Sequence, residues 1–190
     1  MNYALVILLS AFVALTNFTL YTNFEQQKLD VKNSTIEWKG YKLTGSHEGT
    51  LALKSGFLLF DDDKLTGGEF VVDMQSLLCT DLEGGMKDML ENHLTSKDFF
   101  DVEQFPSAEL VMTKVTAKGK NSFEVMSNLT IKGITKPVLF EASIYGKKAT
   151  ATLKIDRTKF DIKYASGNYF ENLKDKMIYD DFELSIDAVF

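Results

Sequence analysis

Hydrophobic and polar residues alternate strictly along the second half of this chain. From Phe123 to Ile131, Phe123, Val125, Leu129 and Ile131 share one parity, and Glu124, Asn128 and Thr130 share the other. After Gly133 the pattern resumes, with Val138, Phe140, Ala142 and Ile144 set against Glu141, Ser143 and Tyr145. Ala149, Ala151, Leu153 and Ile155 then alternate with Lys148, Thr150, Thr152 and Lys154. The final run places Phe182, Leu184, Ile186, Ala188 and Phe190 opposite Asp181, Glu183, Ser185 and Asp187. Side chains of a strand point alternately to its two faces, so this pattern predicts antiparallel strands with one dry and one wet face.

The first half is less regular. Ser34 to Lys42, Gly49 to Phe60, Leu65 to Met74 and Ser107 to Thr116 read as further strands, the middle two joined by an Asp61-Asp62-Asp63-Lys64 turn. The total is about eight strands with short connections and turn glycines at Gly133 and Gly146. Eight such strands close into a barrel or stack as a sandwich. One helix interrupts them. Thr80-Asp-Leu-Glu83 has the form of a capping box, and Met86, Met89, Leu90, His93 and Leu94 follow at helical spacing. Asp156 to Lys176 is the longest irregular stretch and is expected to form a mobile loop at one rim.

Composition narrows the function. With 190 residues and 45% hydrophobic content, the chain can build one domain with a sizeable core. A net charge of -6 argues against a nucleic-acid partner, which needs a basic face. The single cysteine, Cys79, excludes an internal disulfide and a cysteine-clustered metal site. Residues 1–24 carry no charge, and Met1 to Leu15 is almost wholly apolar. This segment reads as an export signal, with an uncleaved membrane anchor as the alternative. The expected location is periplasmic or secreted.

Candidate chemistry is sparse. His47 and His93 are the two histidines, and their separation gives no zinc-like spacing. Nothing around Cys79 suggests an activated thiolate; a partly buried, inert thiol is the expectation. The Asp61–Asp63 run lacks the ligand ladder of a calcium loop and reads as a solvated turn. His93 is open to two readings: contact with a ligand headgroup, or local packing and hydrogen bonding. Arg157, the sole arginine, either anchors a pair with Asp156 or Asp161 or clamps a headgroup. The apolar parities point to one interior, and a barrel interior is either filled by side chains or holds one ligand. Small residues on the inward parity (Ala108, Ser127, Ala142, Ala149, Ala151, Ala188) remove volume that a solid core would need filled, and so favour a cavity.

The connection His93-Leu-Thr-Ser-Lys-Asp-Phe-Phe-Asp-Val-Glu-Gln-Phe-Pro106 carries three phenylalanines among four charges, as expected of a segment that folds back to plug something apolar. Its wording resembles the His-Leu-x-Ser-x-Asp-Phe-Phe-Asp-Val signature of the YceI-like family. Three more segments match in order: Asn33-Ser-Thr-Ile-Glu-Trp-Lys-Gly40 (with Thr44-Gly-Ser-His-Glu-Gly49 after it), Leu129-Thr-Ile-Lys-Gly-Ile-Thr-Lys-Pro-Val138, and Ala151-Thr-Leu-Lys-Ile-Asp-Arg-Thr-Lys-Phe160. The chain departs from the pattern at Asp161, where many members have glycine, and at Met86-Lys-Asp88, where many have Arg-Asp. The resemblance implies a lipocalin-like barrel with a long tunnel for polyisoprenoids or other single-chain amphiphiles, in an exported protein.

The combined expectation is a mainly all-β protein, an eight-stranded antiparallel lipocalin-like barrel with one short helix, over residues 28–190. It is expected to carry a lipid such as an isoprenoid quinone, a polyprenyl or a fatty acyl compound, with no catalytic residues, metal or other cofactor. The expected ligand-contacting residues are Phe99, Phe100, Phe105, Phe123, Val125, Leu129, Val138, Phe140, Leu153, Phe182 and Leu184, with His93 and Arg157 at polar positions. Proximity to a membrane and pairing of two copies are further expectations. Two other classes stay open: an enzyme acting on its bound lipid through His93 and an acidic neighbour, and a solid-core module that binds another envelope protein.

Overall fold

A computed structural model describes residues 24–190. The expected signal or anchor therefore lies outside the described residues. The described residues form nine strands and one α-helix: β1 (Phe24–Lys28), β2 (Thr35–Lys42), β3 (Gly45–Asp61), β4 (Lys64–Cys79), α1 (Gly84–Thr95), β5 (Ser107–Ala117), β6 (Ser122–Ile131), β7 (Ile134–Tyr145), β8 (Lys148–Asp156) and β9 (Ile178–Val189). All pairings are antiparallel. The order β3-β2-β9-β8-β7-β6-β5-β4 returns to β3, closing an eight-stranded barrel. The short β1 pairs with the far end of β3, from Phe57 to Asp61, along the edge that β2 leaves free.

The clean alternation predicted for β6–β9 is realised as one inward face. Across these strands Val125 faces Phe140, Ala142 faces Ala151, and Leu153 faces Leu184. The β6–β7 hairpin turns through Lys132 and Gly133, both at positive φ, the geometry of a two-residue turn whose twist matches its strands. β3 and β4 are long and bent, with register shifts between Thr50 and Ala52, Leu53 and Ser55, and Leu59 and Phe60. Each bulge flips the parity, which is why these strands alternate poorly in sequence. Gly49 is required where they cross under Trp38. A Cβ there would lie 1.8 Å from the Leu78 carbonyl oxygen and 2.7 Å from the Trp38 ring.

Two expectations about the helix are corrected. The capping box does not form: Thr80 donates its N–H and hydroxyl to Glu48 O, and the helix begins at Gly84, with Glu83 at the N-cap and no side-chain cap. Met86 and Met89 do not pack inward; they are 65% and 74% exposed. The helix leans on the barrel through Leu90 and Leu94 in its second half, so its first turn projects into water.

The 157–177 excursion is also not a loose loop in its first part. Arg157, Phe160, Ile162 and Ser166 are all buried. A 3-10 turn over Arg157–Phe160 starts it, with Asp156 accepting the Thr158 N–H at 3.0 Å. Asp161 then takes the left-handed conformation at φ 60°, which glycine adopts without strain.

Candidate ligand-binding site

The inward faces enclose an apolar interior with two small cavities. The central one, of about 80 Å³, lies among Ile36, Leu53, Phe70, Val72, Leu110, Met112, Leu129, Phe140, Leu153, Leu184 and Ile186. Five of the six small inward residues singled out by sequence, Ala108, Ala142, Ala149, Ala151 and Ala188, line it. The second, of about 70 Å³, lies towards α1 among Trp38, Leu51, Leu77, Leu94, Phe99, Phe100, Arg157, Ile178, Phe182 and Leu184. Leu184 belongs to the walls of both. A larger depression of about 690 Å³ lies on the outer wall among Thr35, Glu37, Glu141, Thr152 and Asp187. It is open and polar-sided, so nothing there would exclude water from an apolar chain.

The thirteen candidate residues divide by place. Leu129, Phe140, Leu153 and Leu184 line the central cavity, and Phe99, Phe100, Arg157, Phe182 and Leu184 line the second. Phe123, Val125 and Val138 pack in the core behind these walls. Phe105 sits against Gly133 at the β6–β7 turn. His93 stacks edge-on with Tyr164 at 4.4 Å and Phe99 at 5.7 Å between ring centres. Its Nε2 is buried and makes no hydrogen bond among the described residues, so the ring packs locally without the expected local bond. Phe99 and Phe100 meet edge-on at 5.1 Å, and Phe100 in turn meets Phe182 at 6.4 Å. Sequence reasoning missed Trp38 as a wall residue; its Nε1 donates to Leu78 O at 3.2 Å, across 40 residues of sequence.

Arg157 is 2% exposed, and neither Asp156 nor Asp161 is its partner. It donates through Nε to Tyr179 O at 3.1 Å, Nη1 to Ile162 O at 2.7 Å and Nη2 to Ile178 O at 3.0 Å, with Asp180 Oδ1 at 3.5 Å. One guanidinium thus ties both ends of the 162–178 excursion. Its face also lies over Phe99 at 5.6 Å, an attractive placement for a cation. Burial pulls its pKa down, opposed by Asp180 and Asp156; a guanidinium stays charged under such a shift.

The Cys79 region is a clip. The fully buried thiol donates to Asp81 Oδ1 at 3.1 Å, Glu48 N–H donates to the same oxygen at 3.1 Å, and His47 Nδ1 lies 2.8 Å from Oδ2. Burial, then the Asp81 contact, push the Cys79 thiol up, away from the thiolate a nucleophile needs. His47 lies beyond Asp81, so the sulfur meets a carboxylate, which disfavours the thiolate, and not an imidazole. Burial raises the Asp81 carboxyl, but the bonds from Cys79, Glu48 and His47 outweigh it and hold the group at about 2. A depressed carboxyl contributes stability above its unfolded pKa and loses it as pH falls towards the folded one. We therefore expect stability to fall as pH drops from about 4 towards 2, by less than the full shift implies because water screens the part-exposed Asp81. Urea denaturation of Asp81→Asn should show that component of the pH dependence removed; an unchanged acid limb would contradict it.

Comparison with known proteins agrees with this architecture. Residues 27–190 match the family model described as a YceI-like domain. The chain belongs to the YceI-like family. It is 30% identical over 122 residues to a UPF0312 protein of Pseudomonas putida strain W619, covering 61% of this chain and 59% of that protein. A UPF0312 protein of Pseudomonas fluorescens is 33% identical over 119 residues. The matched stretch spans about three-fifths of these curated relatives. Among solved structures, BcnA of Burkholderia cenocepacia superposes with a TM-score of 0.67 at 23% identity, covering 85% of this chain and 99% of BcnA. A polyisoprenoid-binding domain from Saccharophagus degradans gives 0.58 at 13% identity, covering 85% of this chain and 95% of that domain. At these identities the likeness is one of fold.

Proposed function

We propose that this protein is an exported carrier that holds a long-chain amphiphile inside its barrel. The observation that carries the reading is the pair of apolar cavities inside the closed barrel, which share Leu184 as a wall residue. The polyisoprenoid-binding description of the Saccharophagus degradans domain, which shares the fold, supports the same reading. Each cavity is about half the volume of a 150 Å³ apolar cavity that holds one benzene, so the ligand enters by displacing side chains. Met112, unbranched and adaptable, and Leu184, which lines both cavities, are the side chains best placed to yield. An isoprenoid quinone, a polyprenyl or a fatty acyl compound has the required shape. Export to the periplasm or beyond rests on the uncharged residues 1–24 and the apolar run from Met1 to Leu15, with retention as an anchor the alternative.

Burying each methylene is worth about 0.8 kcal/mol, so affinity should climb with chain length until the barrel is full and then level off. Thermal shift against a series of straight-chain alcohols checks this. A shift independent of chain length would contradict interior binding. Cell fractionation with an antibody to the barrel tests the location, and recovery from the cytosol would overturn export.

A further inference from the structure

We propose that the Ser127 hydroxyl is an internal hydrogen-bonding post for an uncharged oxygen function on the carried chain, so that the barrel selects neutral amphiphiles over acids and phosphates. This rests on the carrier reading and deepens it.

Ser127 is fully buried on the inward face of β6, and its Oγ has no hydrogen-bond partner among the described residues. Its cross-strand neighbours are Met112 and Val138, and Leu129 follows on the same face. Met112 and Leu129 both line the central cavity. An orphan hydroxyl in apolar surroundings is a net cost to the fold. Ser127 pairs with Met112, beside the β5–β6 register shift, and alanine at this fully buried position would take up no more room and carry no orphan hydroxyl. The hydroxyl therefore has no structural return in the empty barrel. Ser127 lies just outside the cavity lining, and rotation of Met112, an unbranched and adaptable side chain that does line it, would join the hydroxyl to the cavity.

A hydroxyl donates to a carbonyl or accepts from an alcohol, and it cannot neutralise an ion. The buried charged side chains among the described residues are Arg157 and Asp101. Arg157 is committed to three backbone carbonyls, and Asp101 would repel an anion. An ionised carboxylate or phosphate drawn beside Ser127 would be buried without a counter-charge. A ketone, quinone-type carbonyl, ester or alcohol would be matched.

The test is displacement of a fluorescent apolar probe by hexadecane, 2-hexadecanone and hexadecanoate at pH 8, on the wild-type barrel and Ser127→Ala. Wild type should prefer the ketone over the hydrocarbon about fivefold to tenfold, consistent with one net hydrogen bond, and bind the ionised acid weakest. Ser127→Ala should bring the ketone down to the hydrocarbon's affinity while raising the thermal midpoint of the empty protein. An unchanged ketone preference in Ser127→Ala, or a lowered midpoint, would overturn the proposal and leave the carrier reading standing. Failure of all three probes to bind the wild type would overturn the carrier reading itself.

Discussion

Leu184→Ala is expected to join the two cavities, lower the stability of the empty barrel by about 3 kcal/mol, and strengthen binding of a long chain. Leu184 lines both spaces, and truncation removes its methyl groups from the wall that they share. Large-to-small changes of this kind cost about 2–5 kcal/mol, the amount depending on how far the surroundings collapse. Closed β-walls on both sides, held by the pairings to β2 and β8, limit that collapse. A ligand that fills the joined space should return much of the loss, because binding to the native state alone adds stability by mass action. Leu184→Asp should instead abolish folding or retention, since it places a carboxylate in an apolar wall without a partner. Urea denaturation with and without a sixteen-carbon alcohol checks both. Unchanged stability and affinity in Leu184→Ala would place Leu184 outside the ligand path.

Arg157→Met should release the 162–178 excursion. The substitution preserves apolar bulk but strands three carbonyls, of Ile162, Ile178 and Tyr179, in a region where Phe160 and Ile162 are fully buried. Leaving buried polar groups unpaired costs about 1–3 kcal/mol each. Local opening caps the total, so we expect about 3 kcal/mol by urea denaturation together with lost hydrogen-exchange protection across the segment. Arg157→Lys should rescue little, because one ammonium cannot reproduce the planar fork that reaches both ends of the excursion. Trypsin cleavage at Lys163, Lys174 or Lys176 should accelerate in Arg157→Met. Unaltered protection and cleavage would contradict the staple.

Much of this architecture was legible in the residues because β6–β9 have one wet face: wherever water covers one side, alternation must be strict. The same reasoning placed the central cavity, since alanines on inward positions of β5, β7, β8 and β9 leave room that no neighbour fills. The bulges of β3 and β4 blurred the signal there, and β1, with the polar sequence Phe-Glu-Gln-Gln-Lys, exists because a long β3 edge is left free by β2 rather than by any pattern of its own. Arg157's partners were hidden for another reason. Its main acceptors are backbone carbonyls, and no side-chain identity reports those. The helix misled because Met86 and Met89 have the right spacing for a buried stripe while only Leu90 and Leu94 meet a wall. Trp38 joined the site through the closure of β3 on β4, a contact set by chain topology.

Mass spectrometry of an organic extract from the purified protein, expressed with its N-terminal segment intact, tests the carrier account most directly. The account predicts one long-chain amphiphile at near-stoichiometric amount, with an uncharged oxygen function at its head. A folded barrel that yields an empty extract, and whose stability does not rise with added chains of any length, would contradict it.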